Sequence, residues 1–281
     1  MKLKLVLISA IASVSIGSVI ASDDLETLAA KGVTQLEGYI PPHEISQVLY
    51  QMVGKRRKGN KSDDVRVQKE RGGIQTGTYP KFIDDGKCPK IDSEKWAIDY
   101  SFKRRWAAIH KGVDIPQPKG TPVLAASSGT VIGKFLNKRN RKGIEVVLRH
   151  TPKDTGLPFY TYTQYTHLLE MSPLPIGASV KMGDEIAKIW NTGKMGKRIR
   201  RTALHFAVMY SESPDWTNDG AIVVPQDSYW MDPVFFYSNS GPYDSANVKK
   251  VADKAILTPY ITLDGTVVPS GAKRIWPFAC K

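Results

Sequence analysis

The sequence predicts a mainly β protein, with a sandwich or barrel core and a small helical region at its N-terminus. From about residue 96 onward, short runs of β-branched and aromatic residues are broken by Gly, Pro and Asn at close spacing, which is typical of short strands joined by turns. One segment upstream of that point has helical periodicity instead. The chain is long enough for one domain with a real core and extensions, or for two small domains.

The first residues have the features of a cleavable secretory signal. Lys2 and Lys4 precede an apolar run, and Ala21 lies two residues after Val19, the pattern expected at a cleavage site. Serines and a glycine interrupt the run, which falls short of the roughly 20 apolar residues of a spanning helix. We therefore expect residues 1–21 to be removed and the mature chain, starting near Ser22, to be periplasmic or extracellular without spanning a membrane.

The charge balance narrows the expected partners. The formal net charge is +13, and losing the two lysines of the leader lowers it to +11. An exported basic protein meets wall polymers and lipid headgroups that carry phosphate and carboxylate, so the anionic envelope is a more accessible partner than nucleic acid. Solubility alone is the alternative explanation. Cys88 and Cys280 are an even count in an exported chain and permit one disulfide.

Residues 22–95 are interpreted as a helical and charged N-terminal region. Asp23–Ala30 is a short helix candidate, and Pro41–Val53 is a better one because four of its apolar residues share one helical face: Ile45, Val48, Leu49 and Met52. Residues Gly54–Gly73 are dense in charge and nearly free of large apolar side chains. That composition predicts a solvated loop or linker before the main domain.

The main domain is assigned to residues 96–240, and residues 241–281 to a C-terminal extension with a short helix near Ala246–Ala255. Six strand-like runs define the main domain: Pro122–Ala126, Gly129–Phe135, Ile144–Arg149, Tyr160–Leu168, Glu185–Trp190 and Ala203–Met209.

Three histidines lie in suggestive local sequences, His110 in His-Lys-Gly-Val-Asp, His167 in Tyr-Thr-His-Leu and His205 in Ala-Leu-His-Phe. A catalytic zinc commonly takes three protein ligands and a water, and His110, Asp114 and His205 supply such a set. An extended strand covers about 13 Å in four residues, so the segment from His110 to Asp114 must bend to hold one ion. Gly112 makes that bend easy.

Taken singly, each of these residues also has a purely structural explanation. His110 and Asp114 alone are compatible with a surface ion pair or a turn contact. His205 alone is compatible with a core histidine satisfied by the backbone, and His167 with a structural hydrogen bond in a Tyr- and Thr-rich strand.

An ordered series of motifs resembles the lysostaphin and LytM family of zinc endopeptidases. The series runs over about residues 105–236 and comprises His110-x-x-x-Asp114, Gly120-Thr-Pro-Val-x-Ala, Gly129-x-Val131, Tyr165-Thr-His167-Leu, Val180-Lys-x-Gly183-Asp-x-Ile186, Leu204-His205-Phe206 and Asp232-Pro-Val. One short motif is weak evidence, but an ordered series is strong.

The resemblance implies an antiparallel β fold of the barrel-sandwich hybrid type. It also implies an enzyme that cleaves peptide cross-links of peptidoglycan. It implies that His110, Asp114 and His205 hold Zn²⁺ and that His167 assists the attacking water. The family has a further catalytic histidine two residues before the last ligand, where this chain has Ala203. The preceding segment also departs from the family, with five basic residues: Lys194, Lys197, Arg198, Arg200 and Arg201.

Three functions are therefore compatible with the sequence. The first is a zinc endopeptidase acting on peptidoglycan, with one acid/base group missing; such a loss typically lowers the rate about 100- to 10,000-fold. The second is a catalytically impaired protein that binds the wall or regulates another hydrolase, which Ala203 favours and the intact set of ligands opposes. The third is a basic envelope-binding protein whose metal only stabilises the fold.

Overall fold

A computed structural model describes residues 32–54, 61–92, 103–104, 108–137, 142–193 and 202–281. The predicted signal, the helix predicted at Asp23–Ala30 and the basic residues from Lys194 to Arg201 lie outside these ranges. Among the described residues, no helix has the length and apolar character needed to cross a membrane.

The centre of the fold is a seven-stranded antiparallel sheet. Its strands are β4 (Val113–Pro116), β6 (Gly129–Asn137), β7 (Gly143–His150), β8 (Tyr160–Thr166), β9 (Ser179–Val180), β11 (Ala203–Ser211) and β14 (Tyr229–Met231). The order is β14-β11-β8-β7-β6-β9, and β4 also pairs with β11. The mainly β, antiparallel fold class is therefore confirmed.

Five two-stranded sheets surround the main sheet. They are β1 (Tyr79–Phe82) with β15 (Ala255–Thr258), β2 (Lys103–Arg104) with β3 (Ala108–Ile109), β5 (Pro122–Leu124) with β10 (Glu185–Lys188), β12 (Trp216–Asn218) with β13 (Val223–Pro225), and β16 (Tyr260–Ile261) with β17 (Val267–Val268). All six predicted strands are present, with bounds that differ by a few residues.

The described helices are short: α1 (Gln47–Val53), α2 (Lys61–Glu70), α3 (Pro152–Thr155) and α4 (Ser245–Val248), with 3₁₀ turns at Pro42–Glu44, Ile83–Asp85 and Phe235–Tyr237. Three of the four residues predicted to share a helical face are buried, but Val48 is 42% exposed. The predicted helix is split because Ile45, between the 3₁₀ turn and α1, has extended backbone angles. The helix predicted in the C-terminal extension is confirmed only over α4.

The prediction of a solvated loop over Gly54–Gly73 is wrong for residues 61–70, which form α2. Val65, Val67 and Gln68 are buried, because α2 packs against α1 and against β3. Gln68 donates to the carbonyl of Gln51 in α1 and accepts from the backbone N–H of Ile109. The helix is therefore stabilised by tertiary contacts that its composition does not reveal.

The two faces of the main sheet bury different cores. On β11, Leu204, Phe206 and Val208 belong to the core shared with the C-terminal residues Trp276 and Phe278. The alternate residues Ala207 and Met209 belong to the core shared with the N-terminal helices. Because side chains alternate along a strand, His205 lies on the same face as the N-terminal helices.

The C-terminal residues are held to the N-terminal region covalently and by backbone pairing. Cys88 and Cys280 form a disulfide across 192 residues of sequence, and Lys87 and Lys281 exchange backbone hydrogen bonds beside it. β15 also pairs in parallel with β1. Residues of both segments, among them Cys88 and Trp276, pack in the same core as the main sheet.

His150 is a buried structural histidine, as its position after an apolar run suggests. Its Nδ1 lies 2.6 Å from the carbonyl of Ser128 and its Nε2 lies 2.7 Å from Oγ1 of Thr163. The carbonyl can only accept, so Nδ1 donates and Nε2 accepts. Burial lowers the pKa of His150 to about 4.

We expect this histidine to make the protein less stable in acid. The imidazole of His150 binds a proton at about pH 6.5 in the unfolded chain and only near pH 4 in the folded chain. The free energy of unfolding is therefore highest above pH 6.5 and falls by about 3 kcal/mol as the pH is lowered toward 4. Urea unfolding across this range, with a chelator present throughout, measures the slope. His150→Asn should flatten it, whereas His43→Asn, at an exposed histidine, should leave it unchanged. A His150→Asn slope equal to that of the wild type would contradict the assignment.

Candidate metal centre

The segment from His110 to Asp114 bends, and the bend brings the side chains of His110 and Asp114 together. His110 directly follows β3, the chain bends at Gly112, and Asp114 lies in β4. A Cβ atom added to Gly112 would lie 2.4 Å from the carbonyl oxygen of Phe206 and 2.9 Å from Cε1 of His205. Gly112 is therefore required by the close approach of the bend to β11, a reason that the sequence alone did not provide.

The strand register brings the third residue to the same point. His205 in β11 pairs directly with Asp114 in β4, and opposed residues of neighbouring strands share one face of the sheet. Nδ1 of His205 lies 2.9 Å from Nε2 of His110 and 3.1 Å from Oδ1 of Asp114. Nε2 of His110 lies 3.3 Å from the same carboxylate oxygen.

These three atoms fit the ligand spacing of a tetrahedral zinc ion. Ligands about 2.0 Å from zinc that subtend tetrahedral angles are separated from one another by about 3.3 Å, and the three observed separations are 2.9, 3.1 and 3.3 Å. The donor set of two imidazoles and one carboxylate is also one that zinc favours. Among the described residues, this is the cluster of His, Cys, Asp and Glu that could hold a metal ion.

Asp114 is an ionised carboxylate in a protected position. Burial by itself raises the pKa of this carboxyl, but the charges and hydrogen bonds of His110 and His205 outweigh burial and hold the pKa well below its usual value. Its side chain is 12% exposed, and those of His110 and His205 are 2% and 15% exposed. The cluster therefore presents a negative charge that is largely withdrawn from water, a setting that favours a cation.

His167 lies at the edge of the cluster. It follows β8 with a left-handed φ of 69°, and its ring centroid is 6.2 Å from that of His205. Its Nδ1 lies 2.9 Å from the carbonyl of Thr192. Burial, and then the charge of His205, lower the pKa of His167 against the opposing effects of Asp114 and of the Thr192 and Lys142 carbonyls. The imidazole is therefore neutral near pH 7.

Ala203 is two residues from His205 on the same face of β11. It pairs with Pro116 of β4, but the pairing of β11 with β8 begins only at His205 and Thr166. Ala203 is 8% exposed, and it carries no group that can transfer a proton. A side chain at position 203 would lie on the sheet face that carries His205.

A polar row that the sequence did not reveal continues from His205 across the sheet. His205 pairs with Thr166 of β8, and Thr166 pairs with Glu145 of β7. Glu145 accepts a hydrogen bond of 2.8 Å from Oγ1 of Thr166 and forms an ion pair of 2.9 Å with Lys142. Val146 and Leu148 point into the same core, so residue 145 lies on the opposite face of β7. This alternation is the sequence signal that could have placed Glu145 beside the candidate site.

Two tyrosines of β8, Tyr162 and Tyr165, lie in the interior. Tyr162 and Tyr165 are fully buried, on opposite faces of β8, and the hydroxyl of Tyr165 accepts from the backbone N–H of Ala126 at 2.8 Å. Arg149 lies 4.6 Å from the ring centroid of Tyr160. The high strand propensity of tyrosine accounts for this run.

Comparison with known proteins finds a family whose model matches the part of the chain that carries this site. Residues 108–216 match the model of "Peptidase family M23". The chain is 30% identical over 129 residues to a lipoprotein NlpD/LppB homolog from Pseudomonas aeruginosa, covering 45% of this chain and 39% of that protein. It is 40% identical over 84 residues to an uncharacterized metalloprotease from Haemophilus influenzae, covering 30% of this chain and 16% of that protein.

The matched segment is therefore a minor part of both curated relatives. Among solved structures, the catalytic domain of the peptidase lysostaphin from Staphylococcus simulans matches with 23% identity, 54% of this chain, 90% of that chain and a TM-score of 0.34. The family model spans His110, Asp114, His167 and His205. The segment that matches peptidase family M23 thus includes the candidate metal centre.

Proposed function

We propose that this chain is an exported zinc metalloendopeptidase that hydrolyses peptide cross-links of bacterial peptidoglycan. The observation that carries the proposal is the triangle of His110 Nε2, Asp114 Oδ1 and His205 Nδ1, whose edges of 2.9 to 3.3 Å suit one zinc ion. The peptidase family of the domain supports the reaction class. The sequence resemblance to lysostaphin- and LytM-type enzymes supports the substrate.

The proposed mechanism assigns zinc binding to three residues and proton transfer to His167. His110, Asp114 and His205 would hold zinc, which polarises a scissile carbonyl and lowers the pKa of bound water. The neutral imidazole of His167, at the edge of this cluster, would accept a proton and return it to the leaving amine, the usual role of a general base and acid. The bend at Gly112 and the β4–β11 register fix the distances between the ligands.

A second function, a wall-binding or hydrolase-regulating protein with impaired catalysis, is favoured by one observation. Ala203 provides no imidazole on the face that carries His205. The retained set of three converging ligands opposes this alternative, because a protein that only binds has no chemical need for them.

The proposed location and domain organisation rest on the N-terminal signal pattern, the segment boundaries and the net charge of the sequence. We assign residues 1–21 to the export signal, residues 22–95 to an N-terminal support, residues 96–240 to the peptidase domain and residues 241–281 to an extension. Gln68 bonds to the residue preceding His110, which supports a positioning role for the N-terminal region. The net positive charge supports retention on an anionic envelope.

Zinc content and peptidoglycan digestion test the proposal together. We expect one zinc ion per wild-type chain and release of soluble wall peptides that a chelator stops. In His205→Ala, both zinc and cleavage should be lost, because a ligand of the ion is removed. The matched control is His43→Ala, at an exposed histidine, which should retain both. A wild-type protein without zinc would refute the site, and a zinc-loaded wild-type protein without cleavage would favour the wall-binding function.

A further inference from the structure

His167 contacts the segment that follows β10 through a hydrogen bond of its ring. Non-glycine residues with positive φ are uncommon, and the φ of 69° at His167 turns its side chain out of the strand register. The carbonyl of Thr192 lies 2.9 Å from Nδ1 of His167. A carbonyl oxygen has no hydrogen to give, so this hydrogen bond requires the proton of the neutral imidazole on Nδ1.

The side chain of Thr192 holds that carbonyl in place from two directions. Its Oγ1 donates to the carbonyl of Leu168 at 2.7 Å and accepts from the backbone N–H of Ile144 at 3.1 Å. One hydroxyl thus connects the start of β7, the residue after His167 and the acceptor of the imidazole. The backbone N–H of Leu168 also donates to the carbonyl of Ile144 at 3.1 Å, so the three segments form one closed network.

Gly143 permits this close approach. A Cβ atom at residue 143 would lie 2.4 Å from the carbonyl carbon of Thr192 and 2.6 Å from its Oγ1. The backbone of Gly143 has a φ of 76°, which glycine adopts at little cost. The local sequence is therefore arranged so that Thr192 reaches both His167 and the start of β7.

We infer that Thr192 is a positioning residue for His167: its hydroxyl fixes the carbonyl that keeps His167 as the Nδ1–H tautomer, which leaves Nε2 as the nitrogen for proton transfer. At metal sites, a hydrogen bond to one ring nitrogen of a histidine commonly selects its tautomer and fixes the orientation of the ring. The tautomer itself is a property of the folded chain, whereas its catalytic consequence rests on the proposed function.

Two variants of Thr192 separate the hydroxyl from the size of the side chain. Thr192→Val is nearly isosteric and removes both hydrogen bonds of Oγ1, whereas Thr192→Ser retains them. The ¹⁵N chemical shifts of the His167 ring at one near-neutral pH, assigned by comparison with His167→Gln, report which nitrogen carries the proton. We expect the proton on Nδ1 in the wild type and in Thr192→Ser, and a shift toward Nε2–H in Thr192→Val.

Activity gives a second, separate readout. If the wild type hydrolyses peptidoglycan, Thr192→Val should lower kcat by about 10- to 100-fold with KM and zinc content unchanged, and Thr192→Ser should restore kcat. A wild-type ring with its proton on Nε2, or a wild-type tautomer in folded Thr192→Val, would overturn the inference. If no variant hydrolyses peptidoglycan, the proposed function fails, and the ring shifts still decide the role of Thr192.

Discussion

Replacing Ala203 with histidine is expected to raise peptidoglycan hydrolysis by about 100- to 10,000-fold in kcat/KM, the usual contribution of one general acid or base. An imidazole at residue 203 would lie on the same face of β11 as His205. The pairing of β11 with β8 begins at His205, so within the described part of the chain position 203 has a paired strand only on the β4 side. Digestion of purified peptidoglycan by equal amounts of zinc-loaded protein measures the change.

The matched control for this substitution is Ala203→Gln, which adds a polar side chain of similar reach that does not titrate near neutral pH. The control should bind zinc without the gain in rate. The rate of Ala203→His should also depend on pH near the ordinary imidazole pKa of about 6.5. Equal rates for the wild type and a folded, zinc-loaded Ala203→His would show that the missing imidazole does not limit this protein.

The outcome also separates the two proposed functions. Measurable cleavage by the wild type, increased in Ala203→His, identifies an enzyme that works without an imidazole at residue 203. No wild-type cleavage and clear cleavage by Ala203→His identify a wall-binding protein that has kept its metal ligands. In either case, we expect hydrolysis to depend on the proposed metal ligands His110, Asp114 and His205.

The strands were predictable from the sequence because their signal is local. Runs such as Ile144–Arg149 combine β-branched residues with bounding turn residues, and the strand β7 covers them at Gly143–His150. Helix α2 was not predictable in this way. Its buried apolar residues Val65 and Val67 are two positions apart, a spacing that gives no apolar helical face. The buried residues Asp64 and Gln68 are polar, and the contacts that stabilise the helix come from α1 and β3.

The candidate site divides in the same manner. The residue types and the need for a bend between His110 and Asp114 were readable from the sequence, and the resemblance supplied the link to His205. The pairing of His205 with Asp114 joins residues 91 positions apart, so no local pattern encodes it. No local pattern encodes the contact of the Thr192 carbonyl with His167 either, because the two residues lie in separate segments. The buried side chain of Glu145 likewise finds partners, Lys142 and Thr166, that become apparent only in the fold.

Replacing Gly112 with alanine is expected to weaken zinc binding strongly, although residue 112 contributes no ligand atom. The added Cβ would lie 2.4 Å from the backbone oxygen of Phe206 and 2.9 Å from Cε1 of His205. Neither atom belongs to a flexible chain end, so the bend must move away from β11. A shift of several tenths of an ångström separates His110 and Asp114 from His205, and zinc requires each ligand at about 2.0 to 2.2 Å.

Zinc affinity measured by competition with a chromogenic chelator should fall by at least about 100-fold, at the upper limit of what altered ligand support usually costs. The matched control is Gly32→Ala, because the added Cβ there meets only Ile176 at an ordinary 3.6 Å. Both variants should keep cooperative unfolding, since most of the core lies elsewhere in the sheet. Wild-type zinc affinity in Gly112→Ala would mean that the spacing of the three ligands does not depend on the contact between the bend and β11.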